Sequence, residues 1–494
     1  MRRRMRFLLL PACLGLALLL PSAAARALPT GRPIVPAAAP AATPAARPLP
    51  PFLEQLERRT FDYFWDTANP VNGLVPDRWP GPSACSIAAV GFALTAYPIG
   101  VERGYVTRAQ AVQRVLVTLR FFAHAPQGPQ PVGVTGYQGF FYHFLDMRSG
   151  LRAQGSELST VDTALLLAGV LADRDYFDRD TPGERAIRTL ADAINRRVDW
   201  RWASPHAPLV SMGWMPESGF IPHDWQGYDE AMIVYLLALG SPTHAVAPAA
   251  WPAWTATYDR TWGRFQGQTY LGFGPLFGYQ YSQSWVDFRG IRDAWMQAHD
   301  LDYFENSRRA TLAQHAYAIA NPMGWRGYDK DVWGLTASDG PADYTHFMPP
   351  WHLRRFRGYS ARGVDLRGGF DDGTIAPTAM VSSIAFAPEL VIPSIAALDR
   401  RYGRWIYGKY GFVDAFNPSF DYDVALRTGR LVPGVGWVDS EYLGIDQGPI
   451  LLMLENDRSG FVWRLMRGDP DLRRGLQRAG FRGGWLQPAS AVVH

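Results

Sequence analysis

Apolar residues recur at three- and four-residue spacing along most of the chain, which is the pattern of helices that bury one face. The first such segment, residues 52–65, places Leu53, Leu56, Phe61 and Phe64 on one side. The same pattern, or an unbroken apolar run, predicts further helices at 86–97, 107–124, 160–172, 181–198, 227–239, 246–264, 302–320, 374–387, 388–403, 446–456 and 459–467. About twelve helices are therefore expected, most of them three turns or longer.

Polar residues that can cap a first turn mark several of the predicted helix starts. Thr107 and Gln110 have the spacing of a capping box, in which side chains satisfy the free backbone N–H groups. Thr181 stands before a proline, the order of an N-cap followed by a first helical residue. Ser159 and Asp162 also have the capping-box spacing, so Asp162 has a structural interpretation beside any chemical one.

Long segments rich in Gly, Pro, Trp and Tyr separate the predicted helices: 69–83, 126–156, 200–226, 265–300, 322–373 and 405–445. Loops of this length inside a compact domain are uncommon unless they build a functional site. They recur about once per helix pair, and we find no internal sequence repeat. From the number of helices, we predict an all-α fold, an (α/α)6 barrel with these loops at one mouth.

The N-terminal segment has the pattern of an export signal. A basic stretch at 1–6 precedes an apolar run at 7–20 and then small residues, so we expect a signal peptide at 1–27 and a periplasmic location. The run is too short for a lasting membrane span in the mature chain. Cys13 lies in a faint lipoprotein-type motif, which the preceding proline and the continuing apolar run disfavour. Residues 28–51 are predicted to be an Ala/Pro-rich linker, and 52–494 a single catalytic domain.

The charge balance changes once the leader is set aside. Residues 1–50 hold seven arginines and no acid, so the formal net charge of +4 becomes −3 from residue 51 onward. Nucleic acid and anionic membranes are therefore poor candidates for partners. Only Cys85 remains after the leader, which excludes an intrachain disulfide. The 18 Trp and 22 Tyr, which combine an apolar face with a polar tip, suit a saccharide substrate.

Carboxylates beside aromatic residues stand where the predicted loops enter helices. Glycoside hydrolysis needs one protonated and one ionised carboxyl group, about 5 Å apart for retention or about 6.5–9.5 Å apart for inversion. The catalytic candidates are Glu157, Asp162, Glu217 and Glu230. Capping by Ser159 is an equal alternative for Asp162, and a favourable contact with the helix dipole is the alternative for Glu230. Glu157 has no such structural alternative.

A second set of residues could bind or orient a sugar. The candidates for substrate binding are Phe141, Tyr142, His143, Asp146, Trp214, Phe220, Trp225, Tyr228, Trp285 and Asp446. Asp146 has the alternative of a turn residue, and Asp446 that of an N-cap. Asp371 and Asp372 are most simply turn residues and remain secondary candidates.

Other chemistries fit the sequence less well. The chain has no His-Glu-x-x-His motif and no paired cysteines, so no metal site is expected. Neither Lys330 nor Lys409 follows a serine at the Ser-x-x-Lys spacing, and no phosphate-binding glycine loop of the P-loop type occurs. We therefore expect no cofactor.

Four separated motifs occur in the chain: Gly139–Met147, Glu157–Gly169, Gly227–Met232 with Leu239–His244, and Ile445–Ile450 with Glu455–Asn456. In this order they resemble the glucoamylase-like (glycoamylase) family, which includes glycoside hydrolase family 144, the β-1,2-glucanases. The resemblance runs from about residue 52 to about residue 466. It implies an (α/α)6 barrel, hydrolysis of β-1,2-glucans (sophorooligosaccharides) with inversion, no metal, and acidic sites at Glu157, Asp162 and Glu230.

Together these features predict a periplasmic inverting β-glucan hydrolase, with β-1,2-glucan as the first candidate substrate. Glu230 or Glu217 would protonate the leaving oxygen, and Glu157 or Asp162 would activate water. Asp229, where Asn is expected in many relatives, adds a charge beside Glu230. The alternatives are a polysaccharide lyase, a transglycosylase on the same fold, and a non-catalytic periplasmic glucan-binding protein. The glycosidic linkage and the choice between endo and exo action stay open.

Overall fold

Helices dominate the fold. The computed structural model describes residues 47–348 and 352–487; the predicted signal peptide with Cys13, and residues 28–46 of the predicted linker, lie outside the described residues. The described part contains fifteen α-helices: α1 Pro51–Thr67, α2 Ile87–Glu102, α3 Arg108–His124, α4 Thr160–Tyr176, α5 Pro182–Arg197, α6 Met232–Gly240, α7 Ala250–Trp254, α8 Phe277–Trp285, α9 Ala294–Ala298, α10 Tyr303–Ala320, α11 Pro377–Val381, α12 Pro388–Ile406, α13 Gly444–Arg458, α14 Phe461–Gly468 and α15 Pro470–Arg478.

The start signals act as predicted in two helices. Thr107 and Gln110 form a complete capping box at the start of α3. The Thr181 hydroxyl accepts a hydrogen bond from the backbone N–H of Glu184 at the start of α5. These two predictions are confirmed, because capping depends on local sequence more than on packing.

The prediction of a loop at 265–300 is wrong for residues 277–285, which form helix α8 in the interior of the protein. Its polar residues gave no apolar periodicity. Gln280 and Gln283 are nevertheless buried, and their Nε2 atoms donate to the carbonyl oxygens of Ala379 and Tyr303, each at 2.8 Å. Hydrogen-bond partners supplied by other helices make this burial tolerable, and a sequence pattern does not reveal them.

Six helices contact one another in a closed cycle. Helix α2 packs on α4, α4 on α6, α11 on α13, and α13 on α2. Between α6 and α8 the Ile233 N–H donates to Ser282 Oγ at 3.0 Å, and Gln280 links α8 to α11. Helices α1, α3, α5, α10, α12 and α15 each pack against a member of the cycle or its neighbour. Every residue of α6 is buried, as expected for a helix surrounded by others.

Helices α2 and α4 approach closely because glycines face each other. A Cβ atom on Gly169 would lie 2.1 Å from the Gly91 carbonyl oxygen, and a Cβ on Gly91 would lie 2.2 Å from that of Leu165. Any side chain there would push the two helices apart. On α4 this contact begins at Leu165, one turn after Asp162.

The long loops pair with one another through short β-strands. The all-α prediction did not include these strands. The described strands are β1 Arg78–Trp79, β2 Cys85–Ser86, β3 Gly136–Tyr137, β4 Phe140–Tyr142, β5 Phe144–Leu145, β6 Leu158–Ser159, β7 Gly213–Met215, β8 Gly219–Phe220, β9 Trp262–Phe265, β10 Gln268–Leu271, β11 Ala337–Ser338, β12 Tyr344–Met348, β13 His352–Phe356, β14 Ser360–Ala361, β15 Gly363–Asp365, β16 Gly368–Phe370, β17 Tyr407–Gly408, β18 Gly411–Phe412, β19 Phe416–Asn417, β20 Arg430–Val432, β21 Gly436–Val438 and β22 Tyr442–Leu443. Strands of two to five residues are too short to show an alternating pattern.

The largest sheet joins two of the predicted loops. Its antiparallel order is β3-β4-β6-β7-β8, with Phe141 opposite Ser159 and Ser159 opposite Gly213. This sheet carries the chain directly into α4. Among residues 47–348 and 352–487, no helix has both the length and the apolar character needed to cross a bilayer.

Candidate active site

A cavity of about 410 Å³ lies where several helices of the cycle begin. It is lined by Asp77, Arg78, His143, Phe144, Val161, Asp162, Leu165, Glu230, Phe277, Tyr281, Ala337, Tyr359, Leu443 and Ile445. Helices α4, α8 and α13 contribute residues from their first or second turns, and Glu230 stands just before α6. This volume is within the range of small-ligand sites, and the walls combine aromatic faces with carboxylates.

Glu230 is the carboxyl group in this cavity that is best suited to donate a proton. Burial raises its pKa from 4.5 to about 7, its own backbone N–H opposes the shift, and the negative charge of Asp162 adds to it. No cation pairs with it among the described residues. The neighbouring Asp229 accepts hydrogen bonds from the Ala231 N–H at 2.9 Å and from Trp254 Nε1 at 3.3 Å. Glu230 therefore remains partly protonated near neutral pH.

Asp162 has both of the roles that the sequence left open. The Ser159 hydroxyl accepts from the Asp162 N–H at 3.2 Å and donates to Asp162 Oδ2 at 2.5 Å, so the residue takes part in capping α4. The same carboxylate lines the cavity and lies 3.7 Å from His143 Nε2. Capping therefore fixes its orientation without removing it from the site.

His143 lies between two carboxylates. Its Nδ1 is 2.9 Å from Glu157 Oε1, and its ring stacks on Phe144 with centroids 4.0 Å apart. Burial disfavours the charged ring, but Asp162, Glu157 and Asp77 outweigh burial and raise the pKa of His143 to about 9. The imidazolium is thus the main form at neutral pH.

Glu157 contacts the cavity through His143 and is not itself a lining residue. Burial would raise its pKa, but the hydrogen bond with His143 and the positive charges of His143 and Arg152 hold the pKa below its usual value. Glu157 is therefore ionised under most conditions, and it orients the imidazole.

Glu217 and Asp146 do not reach the cavity. Glu217 is half exposed on the surface and pairs with Arg152, Nη1 to Oε1 at 2.6 Å, a pairing that lowers its pKa. A proton donor needs the opposite shift, so Glu217 does not meet the requirement. Asp146 Oδ1 accepts from the backbone N–H groups of Arg148 at 3.1 Å and Ser149 at 2.7 Å. The turn interpretation accounts for Asp146.

Most of the predicted aromatic platforms are packed into the protein and do not line the cavity. Phe141, Tyr142 and Trp285 are fully buried, while Trp225 and Tyr228 are 7% and 4% exposed. Trp225 Nε1 donates to Thr160 Oγ1 at 2.9 Å, and Trp285 Nε1 donates to Thr95 Oγ1 at 2.8 Å. Trp214 and Phe220 are half-buried and pack against Trp202. Of the predicted aromatic and imidazole candidates, the structure brings His143 to the cavity.

The predictions for three acidic residues need revision. Asp446 is not the N-cap of α13, because the helix begins at Gly444 with Leu443 in the capping position. It is buried behind the wall that Ile445 lines. Asp371 is also more than a turn residue, since Tyr317, Tyr328 and Trp325 all donate to its carboxylate. Asp372 forms a buried ion pair with Arg362 at 2.7 Å.

Sequence reasoning missed several residues that line the cavity. Asp77 and Arg78 lie in a predicted loop whose only signal was an acid–base pair beside a tryptophan and prolines. Arg78 Nη1 bonds to Asp339 at 2.9 Å and to Glu441 at 2.6 Å. Tyr359 is 51% exposed, so an aromatic face is open to a ligand. No sequence signal marked it.

Tyr281 lies among the site's carboxyl groups. Burial raises the pKa of its hydroxyl well above the usual value, and the negative charges of Asp446, Glu230 and Asp162 add to this effect. It therefore remains a neutral phenol that can donate a hydrogen bond. It was missed because α8 was predicted to be a loop.

Two groups among the described residues have the donor atoms for a cation. They are His143 with Glu157 and Asp162, and Asp339 with Asp414 and Asp439; in each group the ligand atoms lie within 4.8 Å of one another. In the first group His143 hydrogen-bonds with Glu157, and Ser159 with Asp162. These hydrogen bonds explain why the three side chains lie close together without a cation.

The described residues form a cycle of helices around a carboxylate-lined cavity. Comparisons with known sequences and structures show the family of the chain. Residues 222–470 match the glycoamylase family, described as "Putative glucoamylase". A structure described as a putative glucoamylase from Bacteroides uniformis is 32% identical, with a TM-score of 0.75 over 88% of this chain and 98% of that chain. The chain belongs to the glycoamylase family.

Two further relatives carry functional names. The endo-β-1,2-glucanase from Chitinophaga pinensis, solved with sophorotriose and glucose, is 28% identical with a TM-score of 0.74 and covers 88% of this chain and 98% of its own. An exo β-1,2-glucooligosaccharide sophorohydrolase (non-reducing end) from Parabacteroides distasonis is 29% identical over 460 residues, 86% of this chain. This chain spans 57% of the length of that curated relative.

Proposed function

We propose that the chain is a glycoside hydrolase that cleaves β-1,2-linked glucans. One observation carries the proposal: Glu230, with a pKa raised to about 7, shares the cavity with a second carboxyl group, Asp162. A protonated and an ionised carboxyl group form the pair that hydrolysis of a glycosidic bond needs. The names of the Chitinophaga pinensis and Parabacteroides distasonis relatives support the β-1,2 linkage.

Glu230 is the proposed general acid. Its proton goes to the glycosidic oxygen as the bond from that oxygen to the anomeric carbon breaks, so the leaving sugar departs as a neutral alcohol. Burial provides the protonated form at neutral pH. The Tyr281 hydroxyl also lines the cavity, and burial keeps it protonated, so it would donate a hydrogen bond to the same sugar.

Asp162 is the proposed general base, in preference to Glu157, because it lines the cavity. It takes a proton from a water molecule that attacks the anomeric carbon from the face opposite to the leaving group, which inverts the configuration. Positively charged His143 lies next to this carboxyl group, with Nε2 3.7 Å from Asp162 Oδ2. Glu157 holds His143 in this orientation.

Other lining residues would hold the glucose units. Tyr359, Phe277 and Phe144 present aromatic faces, which suit the apolar faces of pyranose rings. Arg78 and Asp77 offer a donor and an acceptor for hydroxyl groups. The loops that carry Arg78 and Tyr359 would therefore influence which linkage is accepted.

The proposal includes an (α/α)6 barrel and export to the periplasm. The closed cycle of six helices with six others packed around it supports the barrel, as do the TM-scores of 0.75 and 0.74. The basic and apolar pattern of residues 1–27 supports export. Cell fractionation with N-terminal sequencing of the exported chain tests the location.

A substrate screen tests the function. The purified chain is incubated with linear β-1,2-, β-1,3- and β-1,4-glucans, and the products are followed by NMR. We expect cleavage of the β-1,2-glucan alone, with the α-anomer appearing first. Sophorose as the sole early product would indicate exo action, and a range of sizes would indicate endo action.

Each alternative has a distinct outcome in the same screen. An unsaturated product detected by ultraviolet absorbance would indicate a lyase, and products longer than the substrate would indicate a transglycosylase. Retardation in glucan-containing native gels without any new reducing ends would indicate a glucan-binding protein. Any of these three results would overturn the proposed hydrolase.

A further inference from the structure

Three aspartates from separate loops lie together next to the cavity wall. Asp339 follows β11, Asp414 follows β18, and Asp439 follows β21. One carboxylate oxygen from each lies within 4.8 Å of the others, and the three residues are 5%, 1% and 1% exposed. Like charges so close and so deeply buried repel one another unless a positive charge or a proton lies between them.

The donors available among the described residues leave two of these oxygens without a partner. Arg78 Nη1 donates to Asp339 Oδ2 at 2.9 Å, and the Asp339 N–H donates to Asp414 Oδ2 at 2.6 Å. Asp439 Oδ1 accepts from Thr428 Oγ1 at 2.9 Å. Asp414 Oδ1 and Asp439 Oδ2 are buried and accept from no donor in the described part of the chain.

A fourth carboxylate, on a different element, lies beside Asp414 but outside the group of three whose oxygens are all within 4.8 Å of one another. Asp446, in the first turn of α13, is 3% exposed. Its side chain lies within hydrogen-bonding reach of Asp414, and its Oδ2 accepts from no donor among the described residues. Three buried oxygens, one each from Asp414, Asp439 and Asp446, thus lack a donor.

A cation satisfies this arrangement more fully than protons do. One shared proton can join Asp414 to Asp446, but it leaves Asp439 Oδ2 unpaired, and an unpaired buried acceptor costs about 1–3 kcal/mol. A divalent cation accepts several carboxylate oxygens at once. Ligands that are all oxygen select a hard cation, and Ca²⁺ tolerates irregular geometry and six to eight ligands better than Mg²⁺ does.

We propose that Asp339, Asp414 and Asp439 form a binding site for a divalent cation of the calcium type. The cation would tie together the loops after β11, β18 and β21, next to Asp446 at the start of α13, whose neighbouring residues Leu443 and Ile445 line the cavity. The site departs from the sequence expectation of no metal. It stands apart from the proposed chemistry, since the proposed acid and base are not among its ligands.

Titration of the exported chain with metal tests the site. The chain is stripped with EDTA, and CaCl₂, MgCl₂ or MnCl₂ is added while binding is followed by calorimetry and the melting temperature by fluorescence. We expect one Ca²⁺ per chain and a rise in melting temperature of at least about 3 °C at saturation, larger than with Mg²⁺. Absence of cation binding and of any change in melting temperature would overturn the proposal.

Two substitutions locate the site. Asp439→Asn is expected to lower Ca²⁺ affinity at least about tenfold and to abolish most of the thermal shift. Asp293→Asn is the matched control: Asp293 is 1% exposed, but Trp251, Tyr303 and the Met296 N–H donate to it, and it lies outside the cluster. It should lose stability and keep the full Ca²⁺ response. Unchanged Ca²⁺ binding in Asp439→Asn would place the cation elsewhere and overturn the assignment.

A second measurement covers the case in which Asp439→Asn does not fold. Tb³⁺ replaces Ca²⁺ in the unaltered chain, and luminescence is excited through the aromatic residues near the cluster. Sensitised emission that added Ca²⁺ displaces supports the site. If the chain binds no cation and Asp446→Asn raises the melting temperature, protons balance the cluster and the proposal is wrong.

Discussion

The strongest test of the proposed chemistry is the substitution Glu230→Gln, which keeps the size of the side chain and removes its proton. The pKa of Glu230 is raised from 4.5 to about 7. At pH 7 a group with the lower pKa would be about 0.3% protonated and a group with the higher pKa about half, a gain of about 150-fold in the competent form. In the proposed mechanism, burial therefore supplies most of the protonated form of Glu230.

The size of the loss follows from what general acid catalysis contributes. Removal of a positioned proton donor costs about 10²- to 10⁴-fold in rate, or about 3–5 kcal/mol of transition-state stabilisation. We expect kcat/KM of the unaltered chain on β-1,2-glucan to fall as pH rises through about 7, since the acid must be protonated. Glu230→Gln should lose most of its activity. The activity that remains should no longer fall as the pH rises through about 7.

The leaving group distinguishes an acid from other roles. A dinitrophenyl glycoside needs little protonation, so Glu230→Gln should retain much of its activity on it, whereas Asp162→Asn should lose activity on both substrates. Glu217→Gln is the matched control, because Glu217 is a surface glutamate paired with Arg152. The reasoning is refuted if Glu230→Gln keeps more than about a tenth of the natural activity while circular dichroism shows a native fold.

Three further predictions concern single residues. His143→Gln should lower the free energy of unfolding in urea at pH 7 by about 1–3 kcal/mol. Because the pKa of His143 is raised to about 9, the protonated ring contributes stability that is fully present below pH 6.5 and is lost as the pH rises through about 9. An equal loss of stability in the variant at pH 10 would contradict this prediction. Burial raises the pKa of Asp173, and neither of its carboxylate oxygens has a donor among the described residues. Asp173→Asn should therefore raise the melting temperature at pH 7 and change it little at pH 4. The reason is that the free-energy cost of burying ionisable Asp173 grows as the pH rises above its pKa in the unfolded chain. A lower melting temperature of the variant at pH 7 would contradict the prediction. Tyr359→Ala should raise KM for β-1,2-glucan about 3- to 10-fold with kcat little changed, and Tyr359→Phe should not; equal effects would exclude stacking.

Local sequence was sufficient for much of the helical framework. The capping residues of α3 and α5 and the amphipathic pattern of α1 depend on neighbours in the chain, so they were predictable. The acidic motifs also marked two residues that line the cavity, Asp162 and Glu230, and a third, Glu157, that contacts the lining residue His143. Helix α8 was not predictable, because its buried glutamines are satisfied by residues that are distant in sequence.

The choice among the marked residues required the tertiary structure. Glu217 and Glu230 stand in similar aromatic surroundings along the chain, yet one pairs with Arg152 on the surface and the other lines the cavity. Phe141 and Trp285 look like sugar platforms in sequence but fill the core. Tyr359 lies in a loop without a recognisable motif and reaches the cavity because that loop folds over it.

The stretch from Gly139 to Gly169 contains both kinds of feature: some that local sequence determines and some that only tertiary packing determines. By itself, the sequence predicted a helix from Thr160 and offered capping by Ser159 and Asp162 as one of two interpretations, because those contacts span a single turn. Only the folded chain decided that Asp162 lies beside His143 and lines the same cavity as Glu230, since their meeting depends on how α4, α6 and the sheet around β6 pack together. Hydrogen bonds within one turn are encoded locally, whereas burial and the pKa of a carboxyl group are set by everything that surrounds it.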